Sequence, residues 1–280
     1  LCGGVGLVAG IIAGLLGVGG GIVIVPALLL LFDWHGIDAA VATQLAIGTS
    51  LATIVVTNSS ATWHHHRRHT VHWPLVWSYA GSALLGSWLG AHLAALLSGP
   101  LLRQLFGLFE LVVAVRLVIP PSPPDPLSHK GRGGERGWLG LPLGSLVGIL
   151  SSLFGIGGGT LSVPMLTLIH RLPMHQAIGS SSAIGLALAF SGSIGFVQSG
   201  WHHPLLPSDA VGFILLPPFL AIVAGTLVTT PMGVKLAHKL EPTKLKRIFA
   251  LLLAIVGVKL LLGADLTPLV PLSMNGEGET

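Results

Sequence analysis

The chain has 280 residues, of which 51% are hydrophobic and only 9% are charged, and its formal net charge at pH 7 is +4. A soluble domain carries roughly 25% charged residues, and uncharged runs such as Leu1–Phe32 and Leu172–Ser208 exceed the ~20 residues that span a bilayer. This composition excludes secreted, cytosolic, disordered and collagen-like proteins, and it predicts an all-α polytopic protein of the lipid bilayer. The bases lie in short segments between apolar runs, so nucleic acid is not an expected partner.

The first element in chain order, residues 3–32, is too long for one bilayer crossing and too short for two. As a single helix it would measure about 45 Å, against a hydrocarbon core of about 30 Å. Glycines cluster at Gly17–Gly21, where positive φ angles carry no steric cost, and a β-branched run then leads into Pro26, which disfavours helix before it. We therefore predict a broken helix or a re-entrant hairpin whose tip lies at membrane depth.

Three apolar spans of helix length follow, at residues 44–63, 74–97 and 101–119. The basic stretch His64–His72 separates the first two, and its histidines surround Arg67 and Arg68. Histidines at i and i+4 on a helix can share a metal ion, but neither a cysteine nor a carboxylate accompanies these, and the stretch is expected to be a loop. We predict a solvated basic turn, with no metal site and no cofactor.

The second half of the chain repeats the order of the first. Gly6–Pro26 aligns with Gly144–Pro164, and Ala46–Ser50 aligns with Ala177–Ser181. The corresponding helix-length spans are residues 177–198, 209–234 and 247–264. The predicted divisions are a first transmembrane repeat at 1–119, an exposed linker rich in proline, glycine and charge at 120–140, a second repeat at 141–265 and a polar tail at 266–280.

The distribution of basic residues selects between a crossing and a re-entrant opening segment. If each opening segment crossed the membrane, the 14 Lys and Arg would divide equally between the two sides, against the positive-inside rule. If each segment turns back, all of them except Arg103 and Lys259 lie on one side. Each half then crosses the membrane three times, so the sequence predicts inverted repeats, a frequent plan of secondary transporters.

Two breaks at membrane depth indicate a central binding site, because non-helical backbone is costly in hydrocarbon unless it lines a cavity or is buried in protein. Glycine amides and helix N-termini offer partial positive charge without a fixed cation, which favours a small oxyanion. Packing is the alternative, since small residues and hydroxyls also serve helix contacts. The predicted substrate-binding residues are Gly17, Gly19, Gly20, Gly21, Thr49, Ser50 and Asn58, with Gly155, Gly157, Gly158, Gly159, Ser180 and Ser181 in the second half.

Glu110 is the only carboxylate near the middle of a predicted span, where an ionisable group is costly and usually functional. It can carry a proton that couples transport to a gradient, or it can be a buried structural carboxyl. The equivalent residue of the second half is Leu253, so the repeat supports neither interpretation. No nucleotide-binding phosphate loop, zinc-protease motif or nucleophile elbow occurs in the sequence, so no catalytic residues are predicted.

The glycine motif occurs twice, and a similar segment of small and hydroxyl residues follows it each time. It reads GLLGVGGGIVIVPALL before AIGTSL and His66–Arg68, and it returns as LFGIGGGTLSVPML before AIGSSSA. This pattern resembles the sulfite exporter TauE/SafE family of membrane permeases and covers nearly the whole chain. The second half departs from it at Gln198–Trp201, where the first half has a basic loop.

The resemblance implies a secondary transporter of the cytoplasmic (inner) membrane that crosses it several times. Its small anionic substrate would be a sulfur-containing oxyanion such as sulfite or an organosulfonate, with export as the expected direction and a proton as a candidate coupling ion. A passive anion channel is the nearest alternative, and an intramembrane enzyme or metal-binding protein is a more distant one. For the oligomeric state, the sequence is compatible with both a monomer and a homodimer.

Overall fold

The computed structural model describes residues 20–118, 140–237 and 242–262. This part of the chain is mostly helical, in agreement with the predicted all-α class. Gly17, Gly19, the tail at 266–280 and all of the predicted linker except Gly140 lie outside the described residues. The elements in chain order are α1 (Gly21–His35), α2 (Ala39–Arg67), α3 (Trp73–Leu96), α4 (Gly99–Val118), α5 (Gly140–Phe154), α6 (Gly159–Leu168), α7 (Met174–Gly200), β1 (Ala210–Val211), β2 (Ile214–Leu215), α8 (Leu216–Ala237) and α9 (Pro242–Leu262).

Two of the described helices are long and apolar enough to cross a membrane by themselves, namely α2 and residues His175–Gly200 of α7. The helices that follow the two glycine clusters are shorter. α1 has 15 residues and α6 has 10, which correspond to about 22 and 15 Å. Neither reaches across a hydrocarbon core of about 30 Å, as expected of helices that stop at a central break.

Large apolar side chains cover much of the outer surface of the helices. Leu85 of α3, Leu108 of α4 and Val228 of α8 are 67%, 53% and 66% exposed. The interior around α2 contains buried leucines such as Leu45 and Leu51 together with buried polar residues such as Ser50. A soluble protein would not expose so many leucines and valines around its circumference, whereas a lipid environment requires them.

The break predicted in the second half lies between Phe154, the last residue of α5, and Gly159, the first of α6. Gly155, Gly157 and Gly158 have φ angles of +63°, +62° and +79°. Residues with a side chain rarely adopt this left-handed conformation, which explains why the break consists of glycines. In the first half, α1 begins directly after Gly20, whose φ angle is +76°.

The β-branched run after the first glycine cluster does not extend the break, contrary to the expectation from sequence. Residues 22–26 are helical and belong to α1, and Pro164 is likewise inside α6. Ile24 and Val25 are fully buried, and such burial outweighs the modest helix propensity of branched residues. Among the described residues, the irregular backbone of the second break is therefore confined to residues 155–158.

Several predicted helix limits were wrong, since α2 begins at Ala39 rather than at residue 44 and α9 at Pro242 rather than at residue 247. Two further differences change the local structure. α2 continues to Arg67, so His64–His66 lie in its last turns rather than in a loop. The span predicted at 209–234 begins only at Leu216, because the preceding residues pair as the antiparallel strands β1 and β2. Pro217 and Pro218 fall in the first turn of α8, where a missing N–H costs no intrahelical hydrogen bond.

The segment α5–α6 turns back at its glycines. A Cβ on Gly144, in the second turn of α5, would lie 3.1 Å from the carbonyl oxygen of Tyr79 on α3. The hydroxyl of the same Tyr79 forms a hydrogen bond with Nε2 of His170, which follows the end of α6. Both limbs thus reach the same part of α3, while the glycines between them contact α2.

The helices α2 and α7 pack against each other and run in opposite directions, since Gly48 lies against Phe196 and Asn58 against Gly185. Thr49, near the start of α2, accepts a 3.0 Å hydrogen bond from the N–H of Leu215, which follows α7. Ser180, near the start of α7, accepts a 2.9 Å hydrogen bond from the N–H of His72, which follows α2. Thr49 and Ser180 are aligned residues of the two halves, so equivalent positions make equivalent contacts with the opposite half.

Candidate functional site

The described end of the first glycine cluster meets the second cluster in the interior of the protein. Gly21, the first residue of α1, lies against the backbone of the break between α5 and α6. A Cβ at Gly21 would overlap the carbonyl oxygen of Gly155 and would lie 2.8 Å from the Cα of Ile156. The absence of a side chain at Gly21 therefore permits the first cluster to contact the second.

The helix α2 closes one side of this junction. A Cβ on Gly155 would be 3.2 Å from the Cα of Ile47, and a Cβ on Gly157 would be 2.6 Å from Cγ2 of Ile54. Ser50 donates a 2.9 Å hydrogen bond to the carbonyl oxygen of Gly155. The AIGTS segment predicted to contribute to the site is thus next to the break of the other half.

The predicted hydroxyl residues differ in what remains available to a ligand. Thr49 and Ser180 accept hydrogen bonds from backbone N–H groups, and each keeps its own O–H for donation. Ser50 donates its proton to Gly155 and keeps only acceptor capacity. Ser181 is 2% exposed, and its oxygen has no hydrogen-bond partner among the described residues.

Asn58 and the break contact the same residue of α7, Gly185. Its side chain is 5% exposed. A Cβ on Gly185 of α7 would be 2.6 Å from the Asn58 amide nitrogen and would overlap the carbonyl oxygen of Gly157. Gly185 thus lets α7 approach both groups, and it places the amide of Asn58 near the tip of the second hairpin.

Three carbonyl oxygens at the break already accept hydrogen bonds within the protein. The carbonyl oxygen of Ser151 accepts from the N–H of Ile156, and that of Gly158 accepts from the N–H groups of Leu161 and Ser162. Together with Ser50 and Gly155, these bonds occupy three carbonyl oxygens around the break. The first N–H groups of α6, at residues 159 and 160, are those that a helix leaves without an intrahelical acceptor. Free amides at the N-terminus of a helix favour an anion over a cation.

Two serines at the break were not predicted from the sequence. Ser151 and Ser162 are fully buried, and their hydroxyl oxygens lie 3.5 and 3.4 Å from the position of a Cβ on Gly158. Neither oxygen has a hydrogen-bond partner in the described part of the chain. The alignment of the halves carries a signal for them, since Ser151 and Ser162 stand opposite Ala13 and Ile24.

The side chains gathered at the break carry no formal charge. The described ion pair lies elsewhere, between Arg103 at the start of α4 and Asp33 at the end of α1, with contacts of 3.0 and 2.6 Å. The described residues also contain no cluster of histidine, cysteine and carboxylate groups that could hold a metal ion. Any ligand at the break would be bound by neutral amides and hydroxyls.

Glu110 of α4 is fully buried, and neither carboxylate oxygen has a hydrogen-bond partner among the residues described. Its neighbour Phe109 stacks on Phe154, with ring centroids 4.5 Å apart and an interplanar angle of 15°. Phe154 is the residue immediately before Gly155. Glu110 therefore lies on the helix that supports the second break, although no contact with the glycines themselves is described.

A separate groove of about 750 Å³ lies between α2, α7 and α8. Its walls are mainly apolar and include Val55, Phe190 and Phe219, with Ser193 and Gln198 as polar members. None of the predicted site residues lines it. An apolar groove of this kind does not provide the donors that an oxyanion needs.

Comparisons with known proteins agree on one family. The profile of the family described as "Sulfite exporter TauE/SafE" matches residues 2–260. A "Probable membrane transporter protein" of Haemophilus influenzae is 35% identical over 262 residues, which cover 94% of this chain and 97% of the relative. The "Probable membrane transporter protein YunE" of Bacillus subtilis is 29% identical, covering 91% and 94%. No solved structure matches this chain.

Proposed function

The chain belongs to the sulfite exporter TauE/SafE family, and from this membership we propose that it is a secondary transporter of a small oxyanion. Its relatives are named membrane transporter proteins, so it is a membrane permease. The proposed substrate is a sulfur-containing anion such as sulfite or an organosulfonate, moved across the cytoplasmic membrane in the direction of export. The proposed site lies where the break of the second half meets Gly21.

The observation that carries this proposal is the donor-rich break between α5 and α6. Its carbonyl oxygens around Ser151, Gly155 and Gly158 already accept hydrogen bonds within the protein. Buried hydroxyls and the first amides of α6 remain for a ligand, and no charged side chain accompanies them. A neutral set of donors binds an anion without a fixed counter-charge, so the anion can also leave, which a transporter requires.

Alternating access is proposed over a permanent pore because the contacts of the two halves are reciprocal. The bonds from Leu215 to Thr49 and from His72 to Ser180 link each long central helix to the opposite half. This reciprocity supports inverted repeats, in which rocking one half against the other exposes a fixed site to each side in turn. A passive channel has no need of such paired contacts.

Proton coupling is proposed at Glu110. A fully buried carboxyl without a described partner is costly to keep charged, so a neutral, protonated form is favoured in the membrane interior. The stacking of Phe109 on Phe154 gives a route by which the state of Glu110 can influence the break. The same residue would then carry the proton and sense the occupied site.

The proposal is tested with the purified protein in proteoliposomes. Uptake of sulfite, methanesulfonate, thiosulfate and sulfate is measured with and without a pH gradient. We expect saturable flux of at least one of these anions and exchange against the same anion on the opposite side. Gly158→Val should abolish the flux, because a side chain there would meet Ser151, Ser162 and Leu188. Non-saturating currents would favour the channel, and no flux of any anion would contradict the proposal.

A further inference from the structure

Ser151 and Ser162 are buried hydroxyls that no described residue satisfies, and both lie beside Gly158. Each residue is 0% exposed, and each oxygen lies within about 3.5 Å of the Cβ position of that glycine. Buried polar groups in folded proteins almost always have a partner. Two unsatisfied hydroxyls at the same point therefore indicate that the partner is a ligand.

The N-terminus of α6 lies at the same point. Gly158 caps this 10-residue helix, and its carbonyl oxygen accepts a hydrogen bond from the backbone N–H of Ser162. The side-chain hydroxyl of Ser162 is one of the two that lack a partner. Thr160, in the first turn, contributes a third buried hydroxyl oxygen without a described partner. The free amides of the first turn and these hydroxyls all donate, and the helix dipole adds partial positive charge.

These donors belong to the second half of the chain alone. The residues of the first half that align with Ser151, Thr160 and Ser162 are Ala13, Ile22 and Ile24. Alanine and isoleucine have no polar side-chain atoms, so the first half cannot offer the same hydroxyls. The near-identical glycine motifs therefore differ in what surrounds them.

We propose that the anion site is asymmetric, with Ser151 and Ser162 of the second half as direct ligands of the substrate. This inference rests on the proposed function, because it names the donors of the same site. The hydroxyls donate to two different oxygens of a pyramidal or tetrahedral oxyanion, such as sulfite or a sulfonate, and the amides of α6 donate beside them. Gly21 then has a different role, which is to admit the backbone of the second break, since the first half offers no side-chain hydroxyl at the positions aligned with Ser151 and Ser162.

The test combines binding and stability measurements on the full chain in detergent, with sulfite and methanesulfonate as probes. Ser151→Ala and Ser162→Ala should each raise the dissociation constant about tenfold, the loss expected for a hydrogen bond to a charged ligand. Both variants should unfold at the wild-type temperature or higher without ligand, because no bond within the described protein is lost. Thr160→Val repeats the test at the third hydroxyl with an isosteric change.

Ser152→Ala is the matched control. Ser152 is also fully buried, but its hydroxyl lies 2.6 Å from Oγ of Ser87 and therefore has a protein partner. This variant should unfold at a lower temperature and bind the probes as the wild type does. Unchanged affinity in both Ser151→Ala and Ser162→Ala, with binding by the wild type, would overturn the asymmetric site. If the wild type neither binds nor transports either probe, the proposed function fails and this inference fails with it.

Discussion

Ser180 accepts a 2.9 Å hydrogen bond from the N–H of His72, and Thr49 makes the equivalent contact with the N–H of Leu215. Ser180 and Thr49 are aligned residues, and each binds the residue directly before a helix of the other half. His72 precedes α3, and Leu215 precedes α8. Two equivalent hydrogen bonds therefore join the two halves. The contact gives each central helix a fixed relation to the opposite half.

Removing either hydroxyl should destabilise the protein. Thr49→Val leaves the buried N–H of Leu215 without its partner, at a cost of about 1–3 kcal/mol, and Ser180→Ala should cost less because its bond to the N–H of His72 is only partly buried. Thermal unfolding in detergent measures both effects. Ser182→Ala is the control, since its hydroxyl donates only to the carbonyl of Ile178 in its own helix. Wild-type stability of Thr49→Val would contradict the role of this bond.

Gly21→Ala should impair transport. A Cβ at this position would overlap the carbonyl oxygen of Gly155, so the two breaks could no longer touch, and such overpacking costs about 1–3 kcal/mol. We expect lower anion flux in proteoliposomes together with a lower unfolding temperature. Gly81→Ala is the matched control, because a Cβ on Gly81 meets no atom within 4 Å, and alanine should add up to about 1 kcal/mol of helix stability. Equal flux in the two variants would show that close contact at Gly21 is not required.

Glu110→Gln separates coupling from substrate movement. Glutamine keeps the size of the side chain but cannot exchange a proton, so exchange of anion against anion should persist while stimulation by a pH gradient is lost. Glu110→Leu copies Leu253, the buried residue at the aligned position, and should unfold at a higher temperature because an unpaired buried carboxyl is removed. Flux of Glu110→Gln that still responds to the gradient would exclude this residue as the proton carrier.

Single cysteines should report which segments share a side of the membrane. In a Cys2→Ser background, Ile37 and Leu205 should be labelled from one side, and Thr70 and Arg171 from the other. Thr70 precedes α3 and α4, and Arg171 follows the second hairpin. Because α3 and α4 are two crossings, a common side of Thr70 and Arg171 tests whether the second hairpin is re-entrant. Labelling of intact and inverted vesicles with a membrane-impermeant maleimide makes the measurement. Thr70 and Arg171 on opposite sides would contradict a hairpin that enters and leaves by the same face.

The break in the second half is predictable from sequence because its cause is local. Gly155, Gly157 and Gly158 adopt left-handed φ angles that glycine alone accepts without strain, and their clustering in an apolar segment is a direct signal. The same local reasoning fails at Pro26, where the helix persists. Burial of the neighbouring Ile24 and Val25 is a tertiary effect that no short window of sequence contains.

The partners of the predicted site residues are not predictable in this way. Thr49 and Leu215 are 166 residues apart, and Ser50 and Gly155 are 105 apart. The alignment of the halves indicates which positions are equivalent, but not that each reaches across to the other half. Ser151 and Ser162 were missed for a related reason: they align with the apolar residues Ala13 and Ile24, so the repeat does not mark them as polar positions.

Tyr79 touches the incoming limb of the second hairpin at Gly144 and, through its hydroxyl, the outgoing limb at His170. One residue on α3 therefore contacts both ends of the loop, through its backbone carbonyl at Gly144 and its hydroxyl at His170. We therefore expect any tilt of α3 to carry α5 and α6 in the same direction, so that the second hairpin shifts as one unit and its two helices do not separate.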